Sequence, residues 1–450
     1  MKKPKRLIFL TVLTVLAAAL LCVCAGAESS GNYTYKIYDG KSSITGCDTS
    51  VSGVITIPDM IGACWVTAIA DGAFEGCRSL TGVTIPDGVI SIGEQAFYGC
   101  TALTEVAMGN EVESIGDYAF ADCISLACVT IGNNVTSIGK NAFSGCVSLT
   151  GVTIPDSVIS IGEQAYYGCT ALTEVAMGNG VKSIGDYAFY GCTSLTSARV
   201  GDGVTTIGEE TFYSVASGRA LCPGSVTNIG DYAFADCISL ACVTIGNNVT
   251  SIGKNALSGC VSLTGVTIPD SVTSIDDSAF DGCTSLTYVS IIGSGVTYIG
   301  NDAFYGTDYY NNSSNWENDV LYIGKYLIEA KDTLSGRYTV KDGTRYIAGY
   351  AFYNCTSLTA VTIPDSVTSI GERAFYGCDA LTDINYGGTK SQWNELYIAD
   401  DKGALTTAKI HYAKGEFPVI LIVIGAAGVS LLGYCVNKAK KSKAKEGTAD

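Results

Sequence analysis

The sequence predicts an α/β repeat solenoid, rich in β structure, in which right-handed coils stack through a parallel sheet and short helical turns. Three observations carry this. A cysteine returns every 23 residues at Cys77, Cys100, Cys123, Cys146, Cys169 and Cys192. Each interval carries the same short apolar alternation. Long internal copies repeat almost unchanged: IGDYAFADCISLACVTIGNNVTSIGKNA starts at Ile115 and again at Ile229. The step resumes at Cys237, Cys260 and Cys283, and again at Cys355 and Cys378, with Val215 and Thr307 in the slot of two divergent units. That gives about thirteen coils. At a parallel-strand spacing of about 4.8 Å the array would be roughly 60 Å long.

One unit shows why such a period stacks. From Ile138 it reads IGKNAFSGCVSLTGVTIPDSVIS. Leu149, Val152 and Ile154 follow L-x-x-V-x-I, and a fixed period of 20 to 29 residues with that pattern marks a leucine-rich solenoid. Alternation turns Val152 and Ile154 to one face of a strand and Gly151 and Thr153 to the other. Ala142 and Phe143 are expected in a short helical turn packed back on the strand. Gly139 and Gly145 are expected at corners of positive φ, and Pro155-Asp156 opens a turn with the Asp side chain capping its own backbone. A single coil cannot bury its apolar face, so neighbours must cover it. The copies also act as internal mutagenesis: the Phe slot accepts Tyr166 and Leu257, so it asks for bulk.

The signature AFxGCxSLTxVxIPxSVxxIG closely resembles the BspA-like leucine-rich-repeat surface proteins. The resemblance covers roughly residues 53 to 412. It includes INYGGTKSQWNEL and AKIHY, similar to the family's terminal segment, and an island from Asp308 to Tyr350 similar to its hairpin-containing long repeat. The resemblance implies display at a cell surface and binding to host proteins or other cells. It names no ligand.

The ends of the chain set an expected topology. Lys2, Lys3, Lys5 and Arg6 precede an apolar run, Leu7 to Val23, and Ala25-Gly26-Ala27. This reads as a signal peptide over residues 1–27; an uncleaved anchor, or a lipoprotein at Cys22 or Cys24, are the alternatives. A second charge-free run, Phe417 to Val436, is long enough to span a bilayer, and five lysines follow it. The expected order is a cap (28–65), repeats (66–307), the island (308–350), last repeats and C-terminal cap (351–415), a membrane helix (417–436) and a basic cytoplasmic tail (437–450). The alternative for the second run is a buried core helix.

The whole chain carries 27 basic and 43 acidic residues. Four basic residues fall in the signal peptide, and five lysines, Glu446 and Asp450 in the tail, so the ectodomain holds 18 against 41. A phosphate backbone would be repelled, which argues against a nucleic-acid partner. Sixteen of the 19 cysteines lie outside, a count that ordinarily suggests disulfides in an exported domain. The ladder argues for buried thiols, because stacked side chains point the same way and Val215 fills the slot without sulfur. Cys47 and Cys64 lie outside the ladder and offer a capping disulfide; Cys128 and Cys242 fall at outward strand positions.

No catalytic, metal or cofactor constellation emerges, and the sequence reads as a non-enzyme. His411 is the single histidine and sits in an apparent terminal strand. GNNVTSIGKN has glycines wrongly spaced for a phosphate loop. Asp156, Asp270 and Asp365 lack the ligand density of a calcium loop. Two surfaces remain as partner sites. The outward strand face carries Thr130 and Thr153 with Arg199, along with Thr84, Thr244, Thr267, Thr362, Glu105 and Glu174. The island gathers Tyr309, Tyr310, Trp316, Tyr322, Tyr326 and Tyr338; exposed Tyr and Trp anchor interfaces, but the same rings could pack onto the solenoid. The expected function is an adhesin or recognition module, a monomeric solenoid binding an extracellular protein or glycan. The alternative is a structural coat or spacer with no specific ligand.

Overall fold

The computed structural model describes residues 27–399 and 403–413. The expected signal peptide, membrane helix and basic tail lie outside the described residues. Among the described residues no helix is long and apolar enough to cross a membrane.

Each coil contains two strands. A longer one, such as Gly151–Ile154, alternates half-buried Gly151, buried Val152, exposed Thr153 and buried Ile154. A two-residue strand, such as Ser160–Ile161, buries only its isoleucine. The short strands stack in parallel and in strict register, Ser114 beside Ser137 and Ile115 beside Ile138, and so on along the array. They build a 15-stranded sheet that ends at Tyr298–Ile299. A second, six-stranded sheet begins with the hairpin at Trp316–Glu317 and ends at Tyr397–Ile398. Counted by this column, from Ile44 to Ile398, the solenoid has about sixteen rungs rather than thirteen. The difference is the rungs that carry no cysteine slot: the N-terminal cap, the island and the last coil.

The core follows from the sequence columns. Phe74, Phe97, Phe120, Phe143, Tyr166 and Phe189 are fully buried and stack ring on ring at 4.7–5.2 Å, with interplanar angles of 3–12°. Isoleucine, leucine and valine columns run parallel to them. On the outside, Thr hydroxyls such as Thr104, Thr173 and Thr250 donate to a carbonyl of the preceding coil. These threonines tie one rung to the next.

The corner is not helical, and its hydrogen bonds say why. Gln95, Phe97 and Gly99 donate their N–H groups forward, to the carbonyls of Asp117, Ala119 and Ala121 in the next coil. Ala96, Tyr98 and Cys100 donate inside the corner. A helix would turn every N–H back on its own chain; here every second one is spent on the neighbour. The alternation needs left-handed residues at two places, and these are Gln95 (φ 54°) and Gly99 (φ 66°), repeated as Asn141 (53°) and Gly145 (72°). Gly139, expected at positive φ, is there for another reason. A Cβ on it would lie 2.6 Å from the Gly116 carbonyl carbon, so glycine permits close approach of coils. Asp156 likewise caps the next coil, not its own: its Oδ1 accepts from the Asn179 N–H at 2.7 Å.

The ends are closed by different devices. Strands Glu28–Ser30, Tyr33–Tyr38 and Lys41–Cys47 pair antiparallel, and the last then pairs parallel with Cys64–Ile69. At the far end, helix Lys390–Glu395 starts with a Thr389/Gln392 capping box and packs buried Trp393 on Tyr386. The terminal strand Lys409–Tyr412 places His411 Nε2 2.7 Å from Asp383 Oδ1.

Candidate functional site

The cysteine column has a chemistry that packing alone did not reveal. Within the regular array the ladder thiols donate to the carbonyl of the Phe-slot residue in the preceding coil: Cys100 to Phe74, Cys123 to Phe97 and Cys146 to Phe120, at 3.1–3.2 Å. Where no regular coil precedes, Cys77 turns to Asp48 O and Cys355 to Lys331 O. Cysteine supplies a small donor here without a strongly polar group, while buried Val215 shows that similar bulk alone also fills the slot. Thr307 places a donor in the same slot but turns it to its own coil, to Phe304 O at 2.8 Å, while its Oγ1 also accepts from the Tyr310 N–H. That second bond caps helix Asp308–Asn311 and starts the island. Burial pushes the Cys192 and Cys378 thiols up to about 12, so they stay protonated and unreactive near neutral pH. We expect at least eleven thiols to react with Ellman's reagent in guanidinium without reductant; two or fewer would show an oxidised ladder.

All sixteen described cysteines are free, with Cys128 and Cys242 exposed. A Cys47–Cys64 bridge does not fit the geometry. Lys41 pairs with Trp65 and Ile44 with Ile69, so Cys64 and Cys47 sit at opposite ends of a parallel pair. Six residues of strand separate them by roughly 20 Å at about 3.3 Å per residue, against about 7 Å for a disulfide. The Cys77 thiol, the first rung of the ladder, donates to Asp48 O beside Cys47.

The strand-face candidates are exposed but not gathered. Thr130 lies beside Ala107, and Thr153 and Arg199 flank Ala176. They occupy different coils, several rungs from the island.

The island is more structured than its composition suggests. Tyr322, Tyr326 and Tyr338 are buried, and Tyr309, Tyr310 and Trp316 are partly buried against the core. All but the buried Tyr326 hydroxyl have their polar atoms engaged: Tyr309 Oη donates to Tyr322 O (2.9 Å), Tyr310 Oη to Glu329 Oε1 (2.9 Å), Trp316 Nε1 to Tyr310 O (2.6 Å), and Tyr322 Oη pairs with Tyr338 Oη (2.9 Å). Lys331 Nζ lies 5.3 Å above the Trp316 ring and 3.0 Å from Asp319.

This packing leaves a groove. Strand Tyr326–Ala330 runs straight through Ile328, Glu329 and Ala330, where a regular coil would turn its corner. One corner is therefore missing between those at Phe304 and Phe352. The resulting groove has a volume of about 810 Å³. Its lips are Asn301–Tyr305 on one side and Tyr350, Tyr353 and Asn354 on the other; its floor is Ile328–Thr333, and Tyr310 and Trp316 also line it. Tyr305 and Tyr353 are 51% and 41% exposed. Sequence reasoning singled out Tyr310 and Trp316 but missed Tyr305, Tyr353, Asp302 and Glu329. The available signal was the 48-residue interval from Thr307 to Cys355, which holds only one AFxxC corner, at its very end.

Burial pushes the Glu329 carboxyl above the usual range, nearby Asp302 adds to the rise, and the hydrogen bond from Tyr310 opposes it. A carboxyl raised in the fold favours folding when protonated. That contribution is present below the unfolded value and is lost as pH rises through the folded one. Cooling the charge by Glu329→Gln should therefore flatten the dependence. Calorimetry should show the midpoint of the wild type gaining on that of E329Q as pH falls from 7 to about 4, below the ordinary glutamate value; identical profiles would refute the assignment.

These features define a class: a leucine-rich-repeat solenoid with an inserted coil. A family profile described as "BspA type Leucine rich repeat region" matches in six copies, over residues 67–155, 136–219, 219–335 and 322–397. The chain belongs to the BspA-type leucine-rich-repeat family. No curated protein matches it. Among solved structures it is similar to a leucine-rich repeat protein from Bacteroides ovatus, at 25% identity over 86% of this chain and 100% of that one, with a TM-score of 0.50. A leucine rich cell surface protein from Faecalibacterium prausnitzii is 27% identical over 83% of this chain and 98% of that one, with a TM-score of 0.36.

Proposed function

We propose that this chain is a cell-surface recognition protein of adhesin type, whose contact site is the groove beside the inserted coil. One observation carries the reading. The corner column is regular along the array, and it is interrupted where aromatic and polar side chains converge around an open, ligand-sized volume. Elsewhere the coils offer near-identical threonine faces, which provide spacing but little discrimination. The expected leader, the run from Phe417 to Val436 and the lysines after it support a tethered arrangement with the solenoid outside.

The test is binding of the full-length chain, displayed on cells, to a panel of matrix proteins and glycans. Saturable binding to one class, reduced by Tyr305→Ala with Tyr353→Ala, supports the reading. The spacer reading rests on the acidic, threonine-lined array; it gains if no partner binds saturably. Protease added to intact cells should remove the repeats and spare a tag placed after Asp450. Loss of that tag would reverse the topology.

A further inference from the structure

We infer that the groove is a saccharide site, taking a neutral oligosaccharide between the Tyr305 and Tyr353 rings. This rests on the recognition reading above and narrows it to one ligand class.

The missing corner leaves unpaired backbone groups on both lips. In a regular coil the N–H groups at three alternate corner positions bond to carbonyls of the next coil. At the first lip these positions are Asp302, Phe304 and Gly306, and their N–H groups have no partner among the described residues. On the second lip the equivalent acceptors are the carbonyls of Gly349, Ala351 and Tyr353. Ala351 O accepts from the Ala330 N–H at 2.6 Å; the other two have no donor among the described residues. The groove thus presents donors on one wall and acceptors on the other. Unpaired groups of this kind are worth satisfying with a ligand.

Three constraints select the occupant. It must both donate and accept, as hydroxyl groups do. It must offer flat apolar faces to two exposed tyrosine rings, each an apolar body with a polar tip. And it must carry no negative charge, because Asp302, Glu329 and Asp332 line the groove. The one lysine there, Lys331, is already engaged by Asp319 and the Trp316 ring. A sugar ring without acidic groups meets all three. A volume of about 810 Å³ falls within the range of about 300–1,000 Å³ usual for ligand sites. An extended peptide fits less well. The donor row bends through left-handed Asp302 (φ 54°) and Gly306 (φ 71°), so it is not the straight edge that an added strand requires.

The experiment titrates the purified full-length chain with cellotetraose, maltotetraose, chitotetraose and mannotetraose, and with 3′-sialyllactose as the anionic arm, by calorimetry. At least one neutral saccharide should bind with a Kd of about 1 mM or tighter, and sialyllactose should not. Tyr305→Ala with Tyr353→Ala should weaken that binding at least tenfold, while Phe at both positions, which keeps the rings, should change it less than threefold. Circular dichroism checks that the variants are folded. If no neutral saccharide binds although the alanine pair abolishes attachment to cells, the recognition site stands and the saccharide class is wrong. Sialyllactose binding as well as the neutral sugars would also overturn the charge argument. If the alanine pair leaves cell attachment intact, the groove reading itself falls.

Discussion

Phe143→Ala should cost about 3–5 kcal/mol, the range for truncating a buried aromatic side chain. Phe143 is fully buried, with its ring 5.2 Å from both Phe120 and Tyr166, so the truncation empties two stacking interfaces at once. In a solenoid each coil contacts only its neighbours, and the damage should therefore stay local. Hydrogen exchange should show the corner amides of the coils around residue 143 losing protection by roughly a hundredfold or more, with distant coils unchanged. Phe143→Leu should cost only about 1 kcal/mol, because Leu257 already fills that slot in another coil. Tyr166→Phe should act in the opposite direction. The Tyr166 hydroxyl is buried with no hydrogen-bond partner among the described residues. Removing an unsatisfied hydroxyl should add about 1 kcal/mol. Equal losses from Ala and Leu at position 143 would mean that the column needs a ring and not bulk alone, and a loss from Tyr166→Phe would mean that the hydroxyl is satisfied in the fold.

The columns of this protein are legible in its sequence because each one serves a single purpose in every coil. Val152 and Ile154 face inward and Thr153 outward, as alternation requires. The Phe slot is bulk, and it packs as bulk. What escaped prediction is hydrogen-bond geometry between coils. Asn141 adopts positive φ and Gly139 does not, because the corner sends alternate N–H groups forward. No propensity written for an isolated chain anticipates that, since the partner lies 22 to 23 residues away. The cysteine column was read correctly as buried but not as a donor to the Phe carbonyl. The island was recognised by its tyrosines, yet most of those rings hold it together. The groove arises from what the island lacks, and a missing corner is hard to see when attention falls on residues present.

The missing corner can be restored by excision. Thr307 and Cys355 occupy equivalent slots, so removing residues 308–355 joins Thr307 to Thr356 in register, and TSL follows the slot as it does after Cys283. The corner at Phe304 would then face the carbonyls of Glu372, Ala374 and Tyr376, which now accept from Tyr350, Phe352 and Asn354. Phe304 would stack on Phe375, and Tyr298–Ile299 would pair with Ser369–Ile370, making one continuous sheet of the two. In the native chain the amides of Asp302, Phe304 and Gly306 should exchange fast, since they have no partner among the described residues. In the excised chain they should slow by on the order of a hundredfold, equivalent to a few kcal/mol of opening free energy. Thermal unfolding of the shortened chain should stay cooperative, and saccharide binding should vanish with the groove. Fast exchange at these three amides after excision, or proteolytic loss of residues 356–413, would show that the two slots are not equivalent and that the island is an integral rung of the solenoid.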